Sequence, residues 1–291
     1  MTRIIRRLAA IATSLAVAVT VTACGSTEPR SLVGSVDNGN VILGTKYDQP
    51  GLGMRNPDKT MTGLDVEVAT YVVNHIADQR GVAHPKITWR ETPSATRETV
   101  IKNGEVDMIA GTYSINKSRA KSVNFGGPYL LTHQALLVRS DDHMLTSLKD
   151  LDNGRKLCSV TGSTPAQKVK KSLPGVQLQE YDSYSSCVEA LHQKKVDAMT
   201  TDAAILYGFA LQYPGEFNVI EMTKEDGKPF TNEYYGIGLA KDDAESTAAI
   251  NDAIRAMQED GSFDQMVEKN LGENAAVVEP GEPGNLDFLK E

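Results

Sequence analysis

The sequence predicts an α/β fold built mainly on parallel strands. Between residues 40 and 271, short apolar runs of strand length alternate with longer runs whose apolar residues recur every three to four positions. That alternation is what a sheet with crossover helices requires. The strand ends also carry small hydroxyls and charges, and open α/β sheets hold ligands beyond the carboxyl ends of their strands.

The chain opens "MTRIIRRLAAIATSLAVAVTVTAC". Three arginines, Arg3, Arg6 and Arg7, precede an uncharged and mostly apolar stretch over residues 8–21. Small residues follow, which is the pattern of a secretory leader. The apolar run is about 14 residues, against roughly 20 for a bilayer span, so an N-terminal membrane helix is the lesser alternative. Val21-Thr22-Ala23-Cys24 resembles the lipobox of bacterial lipoproteins. It implies a leader over 1–23, acylation of Cys24, and a mature chain held by lipid on the outer face of the cell membrane. Residues 25–40 are small and polar, and read as a flexible tether spanning roughly 20–25 Å.

The first strand is "NVILGT". In "GLDVEVATYVVNHIADQ", apolar residues at 64, 68, 72 and 76 and at 66, 69, 73 and 76 predict a helix, stopped by Gly81. "KITWRE" reads as a strand, "SATRETVIK" as a helix opened by Ser94, and "VDMIA", "HQALLV" and "KLCSV" as strands. "PAQKVKKSL" is a helix with Pro165 at its start. "VQLQEY" (strand), "SYSSCVEALHQKK" (helix), "DAMTT" (strand) and "DAAILYGFALQ" (helix) continue the alternation. "FNVIE" and "YYGIGLA" are strands, and helices follow near 243–259 and 262–270. The tail over 272–291, rich in Gly, Pro and acid, reads as loosely held.

Cysteine count and charge narrow the function. With Cys24 acylated, Cys158 and Cys187 remain in an oxidising compartment, which suggests one disulfide. Two separate buried thiols are the alternative. The formal net charge is −8, and losing the three leader arginines makes it −11. That argues against nucleic acid and against a polybasic membrane surface. The motifs GxSxG, GxxxxGK[ST] and GxGxxG are absent. The five histidines are scattered without ligand spacing, so neither metal nor cofactor is expected.

The predicted strand exits are Lys46 and Tyr47, Thr112 to Ser114, Thr161 to Thr164, and Thr201 with Asp202. Hydroxyls, a cation and a carboxylate together suit a zwitterion better than a reaction. In "AGTYSINKSR", Lys117 and Arg119 precede Lys121, and surface cations are ordinarily solvated.

Five blocks in order carry a resemblance over roughly residues 40–271: "GLDVEVA", "AGTYSINKSRAKSVNFGGPY", "VTGSTP", "VDAMTTDAAIL" and "EYYGIGLAKDD". They resemble the polar amino-acid-binding proteins of bacterial ABC importers, and most closely the glutamate-binding lipoproteins of Gram-positive bacteria. The resemblance implies a type 2 periplasmic-binding-protein-like fold, with two lobes hinged by two crossing strands near "HQALLV" and "NEYYGI". The first lobe would comprise 41–134 and 235–271, and the second 135–234.

The resemblance also implies roles. Arg119 would bind the ligand α-carboxylate, with Thr112 and Ser114 around the same end. Ser163 and Thr164 would donate from the second lobe. Asp202 would pair with the α-ammonium, its bland alternative being a helix N-cap. Tyr47 would pack over the aliphatic part, or serve only the core. For an acidic side chain, Lys46 stands where the family's glutamate and aspartate binders carry arginine, and Ser94-Ala95-Thr96-Arg97 matches their Ser-x-x-Arg turn. A purely structural bond is the alternative for Arg97. L-Glutamate is the expected ligand, with aspartate, glutamine and asparagine as rivals. The partner implied is an ABC permease, for a monomer that is not an enzyme. The competing functions are an amino-acid sensor lipoprotein and a dehydratase-like enzyme on the same fold.

Overall fold

The computed structural model describes residues 28–152, 154–224 and 226–290. The expected leader and its lipid-bearing Cys24 lie outside the described residues. In chain order the elements begin with α1 (Leu32–Asp37), β1 (Asn40–Thr45), β2 (Asp48–Gln49), β3 (Gly53–Arg55), β4 (Met61–Thr62), α2 (Leu64–Arg80) and β5 (Lys86–Glu91). There follow α3 (Arg97–Lys102), β6 (Met108–Ile109), α4 (Lys117–Ser122), the long β7 (Asn124–Arg139) and β8 (Lys156–Val160). Next are α5 (Thr164–Ser172), β9 (Gln177–Tyr181), α6 (Tyr184–His192), β10 (Ala198–Asp202), α7 (Ala203–Gln212) and β11 (Phe217–Glu221). The last are β12 (Asn232–Leu239), α8 (Ala244–Glu259), α9 (Ser262–Leu271) and β13 (Glu279–Pro280).

One sheet runs β5-β1-β6-β12-β7-β10-β8-β9, with β11 and β13 also on β7. The expectation of mainly parallel pairing holds only in two blocks. β1 pairs parallel with β5 and β6, and β8 pairs parallel with β9 and β10. Every pairing of β7 and β12 is antiparallel. β7 changes partners along its length: His133 still faces Asn232 of β12, and Gln134 already faces Asp202 of β10. The sheet therefore has a first half around β1 and a second half around β8, joined through β7.

The helices follow their sequence signals. α2 buries Leu64, Val68, Val72 and Ile76, spaced by one turn, and ends on Gly81 at φ 67°. Fully burying each such side chain contributes about 1.5–3 kcal/mol. The Ser163 hydroxyl caps α5 by accepting from the Ala166 N–H, and Pro165 sits in the first turn. Cys158 of β8 and Cys187 of α6 form a disulfide with Cα atoms 5.8 Å apart, so the reading of two separate thiols is set aside.

Three local expectations are corrected. The supposed tether contains α1, whose Leu32 and Val36 are fully buried. Arg30, Ser35 and the Ile42 N–H all donate to the buried Asp107 carboxylate, which ties this segment to the core. The helix expected to open at Ser94 begins at Arg97, because Pro93 and Thr96 close a turn first. The tail is packed: Phe288 stacks on Tyr234 with ring centres 3.8 Å apart, and Gly281 and Gly284 donate to carbonyls of Tyr129 and Gly127. Among the described residues, no helix is long and apolar enough to cross a membrane.

Candidate ligand-binding site

The carboxyl ends of β1, β5 and β6 in the first half converge with those of β8 and β10 in the second. β1 delivers Lys46, and the turn after β5 delivers Ser94 and Arg97. The segment after β6 delivers Thr112 and Ser114, and α4 supplies Arg119. β8 leads to Ser163 and Thr164, and β10 ends on Asp202. All of these side chains are buried.

Lys46, Arg97 and Arg119 are only 4, 2 and 5 % exposed. Cations are almost never that buried without partners. The Lys46 ammonium donates to Ser94 Oγ at 2.9 Å. Arg97 Nη1 donates to the Gly111 carbonyl at 2.8 Å, while its Nε has no protein partner. Arg119 Nη1 donates to the Ser114 carbonyl (2.7 Å) and to Thr164 Oγ1 (3.1 Å), and Nη2 to the Gly162 carbonyl (2.9 Å). Its Nε lies 3.2 Å from Glu98 Oε1. Arg119 thus joins the two halves of the sheet.

Burial first, and then repulsion from Arg97, push the Lys46 ammonium down to about 7. Burial and the charge of Arg119 push Arg97 down to about 10. Against these stands Asp202, whose carboxyl is raised by burial and then by the charge of Glu233. Asp202 Oδ2 accepts from the Tyr235 hydroxyl at 2.5 Å, while Oδ1 has no protein partner. Asp202 stands at the N-cap position of α7 but its side chain makes no capping bond, so capping does not explain it. The hydroxyls of Thr201 and Thr45 are also buried without partners. Buried polar atoms are ordinarily bonded, so such a cluster marks a place for a polar guest.

Thr112 shows how the site is braced. Its φ of 46° lies in the left-handed region, which costs a β-branched residue on the order of 1–3 kcal/mol. Its N–H donates to Asp65 Oδ2 (2.8 Å), and its hydroxyl meets Gln49 and the Gly111 carbonyl. Asp65 also accepts from Tyr129, so it serves the scaffold. Thr112 and Gly111 carbonyls in turn hold Arg97.

Two aromatic residues at the cluster have no role assigned from the sequence, although Tyr113 lies inside the strand exit Thr112 to Ser114. The guanidinium groups of Arg97 and Arg119 both lie over the Tyr113 ring, 4.1 and 5.0 Å from its centre. The Tyr184 ring centre lies 6.0 Å from the Lys46 ammonium. Tyr184 follows β9, a parallel neighbour of β8, so inspecting that strand's exit finds it. Tyr47 is half-buried and faces Arg55 at 5.5 Å. Lys117 and Lys121 are exposed neighbours of Arg119. A surface groove of about 580 Å³ lies elsewhere, between α2 and α8, and none of the buried unpartnered atoms lines it. Among the described residues, no cluster of His, Cys, Asp and Glu could hold a metal ion.

Three buried cations and one half-satisfied carboxylate complement a molecule with anionic groups and one cationic group. Residues 41–273 match the model of the bacterial extracellular solute-binding proteins, family 3. The chain is 66 % identical over 292 residues to the glutamate-binding protein GluB of Corynebacterium efficiens, covering 99 % of each chain. It is 64 % identical over 289 residues to GluB of Corynebacterium glutamicum, covering 99 % of this chain and 98 % of that one. It is similar to a solved structure of an ancestral arginine-binding protein bound to glutamine, with a TM-score of 0.71 and 29 % identity. That likeness covers 80 % of this chain and 98 % of the other. With a family match that takes in both halves of the sheet and every residue of the cluster, the chain belongs to the bacterial extracellular solute-binding proteins, family 3.

Proposed function

We propose that this solute-binding protein captures L-glutamate outside the cytoplasm and delivers it to the permease of an ABC importer. The observation that carries the reading is the burial of three cations, Lys46, Arg97 and Arg119, at strand ends that also carry Asp202, whose Oδ1 is unpartnered. Arg119 takes the α-carboxylate, for which its planar fork is suited. Thr112, Ser114, Ser163 and Thr164 supply further donors at that end, and Asp202 takes the α-ammonium. Lys46, Ser94 and Arg97 take the side-chain carboxylate. Tyr113, Tyr184 and Tyr47 border the aliphatic chain. The GluB relatives, 66 % and 64 % identical, are named for glutamate, which supports the choice over aspartate, glutamine and asparagine.

In this reading the sheet halves are lobes, 41–134 with 235–271 and 135–234, which close on the ligand about β7 and β12. The protein works as a monomer, held outside the membrane by lipid on Cys24. Mass spectrometry of the native N-terminus tests the lipid, and an unmodified Cys24 refutes it. Capture is not turnover: the cluster's polar groups pair with ligand charges and leave no general acid or base free. Incubating the protein with labelled glutamate and analysing the extract tests this. Intact, stoichiometrically bound glutamate is expected; a dehydrated or deaminated product would overturn it.

A further inference from the structure

The Asp48 carboxylate, on β2 of the first half, meets α6 of the second half, 137 residues away in sequence. Its Oδ2 accepts from both the N–H and the hydroxyl of Ser185, each at 3.1 Å. Ser185 is the second residue of α6. The N-cap Ser183 hydroxyl accepts from the Ser186 N–H, so it leaves the Ser185 N–H to Asp48. First-turn N–H groups have no partner within the helix, and the helix dipole favours a negative charge there.

This contact sits at the rim, with Ser185 exposed and Asp48 half-buried. It is nevertheless wired to the cluster at both ends. Asp48 is two residues beyond Lys46. Ser185 follows Tyr184, and Cys187, two residues further, is bonded to Cys158 of β8. The first turn of α6 is therefore fixed to the sheet, and a hold on Ser185 is a hold on the whole second half. Other side-chain bonds between the halves, from Arg119 to Gly162 and Thr164 and from Tyr235 to Asp202, lie among the proposed ligand-binding groups themselves.

We infer that Asp48 and Ser185 form a latch that holds the two halves together, setting how long the ligand stays without touching it. The inference rests on the closure reading given above. The latch forms only when the halves meet, so it slows opening and leaves the encounter with ligand unchanged. It acts on every ligand by the same factor.

Three variants test it. Asp48→Ala removes the acceptor. Ser185→Pro removes both donors and leaves the Asp48 charge beside Lys46 in place. Proline fits there, because α5 carries Pro165 at the corresponding second position. Asp48→Asn keeps an acceptor and removes the charge. Stopped-flow release of L-glutamate and of L-glutamine is measured, with fluorophores on α5 and α2 reporting the distance between halves with and without ligand.

Asp48→Ala and Ser185→Pro should each speed release of both amino acids by about three- to tenfold, with association unchanged, as for a partly exposed charge-assisted bond. The double variant should be no faster than either single one, and Asp48→Asn should fall between. The closed population in ligand-free protein should drop in both single variants. That readout decides the latch even if glutamate proves not to be the ligand. Unchanged release together with an unchanged closed population would overturn the inference. So would a change in the preference between glutamate and glutamine in Ser185→Pro, which leaves the Asp48 charge on Lys46 unchanged.

Discussion

The guanidinium carbon of Arg97 lies 4.1 Å from the centre of the Tyr113 ring. The same ring is 5.0 Å from the guanidinium of Arg119. The negative faces of one aromatic ring temper two like charges, an effect of about 0.5–2 kcal/mol per contact. The two arginines still repel, which contributes to the lowered value of Arg97. An anion on either guanidinium relieves that repulsion, so the pair holds a dianionic ligand better than a monoanionic one.

Arg97→Ala should weaken glutamate by about ten- to a hundredfold, the equivalent of one charge-assisted bond of roughly 1.5–3 kcal/mol. Glutamine should lose much less, since its side-chain amide carries no charge. Arg119→Ala should weaken both together, because both share the α-carboxylate. Titration calorimetry on the two variants reads this directly. Equal losses on Arg97→Ala would remove the side-chain pocket from Lys46, Ser94 and Arg97.

Lys46 predicts a proton linkage. Burial holds its ammonium near 7 in the ligand-free protein. A carboxylate beside it raises that value, so the complex binds more protons than the free protein. Through Lys46 alone, affinity for glutamate falls as pH rises above about 7, by at most about tenfold per pH unit for one proton. Asp202 has the opposite sign: its raised carboxyl releases a proton on meeting the ammonium. Calorimetry at pH 7.5 in two buffers of different ionisation enthalpy counts the net protons. The wild type should take up more than Lys46→Gln, and equal counts would show that Lys46 does not titrate on binding.

Gly162 of the second half stands against the turn that carries Ser94. A Cβ there would stand 2.8 Å from the Ala95 Cα, and the glycine has a φ of +76°. Gly162→Ala should therefore hold the halves apart and weaken every amino-acid ligand. In small-angle scattering, ligand should shrink the wild type and leave the variant extended. A variant that compacts like the wild type would place the closing surfaces elsewhere.

Much of this was legible in the sequence, for identifiable reasons. α2 spans more than four turns, so its apolar spacing shows plainly. β1 and β5 match the runs NVILGT and KITWRE end to end. α1 was not legible, because six residues are too few for a period and its order comes from the distant Asp107. The tail's order likewise comes from Tyr234 and β7, not from its own composition. Strand exits pointed to nearly all of the buried cluster, with the family blocks adding Arg119 and the Ser94-to-Arg97 turn. They also pointed to Tyr47, whose ring faces Arg55. Tyr184 was hidden because its segment reads as the start of a helix, although it also follows a parallel strand.

The Cys158–Cys187 bond closes a separation of 29 residues. On the chain-entropy model, removing it costs roughly 3–4 kcal/mol. For a protein of this size that lowers the melting temperature by roughly 6–15 °C. Paired Cys158→Ser and Cys187→Ser substitutions, followed by calorimetric melting, check this. A shift under about 2 °C would mean that the packing of α6 on β8 alone sustains the second half.

The central claim is that the three buried cations are arranged for an acidic amino acid. Titration calorimetry of the wild-type protein with L-glutamate and L-glutamine, in one buffer at pH 7, tests it most directly. The account predicts one site per chain and binding of glutamate at least about tenfold tighter than glutamine, the worth of about 1.4 kcal/mol. Glutamine binding as tightly as glutamate, or more tightly, would contradict it.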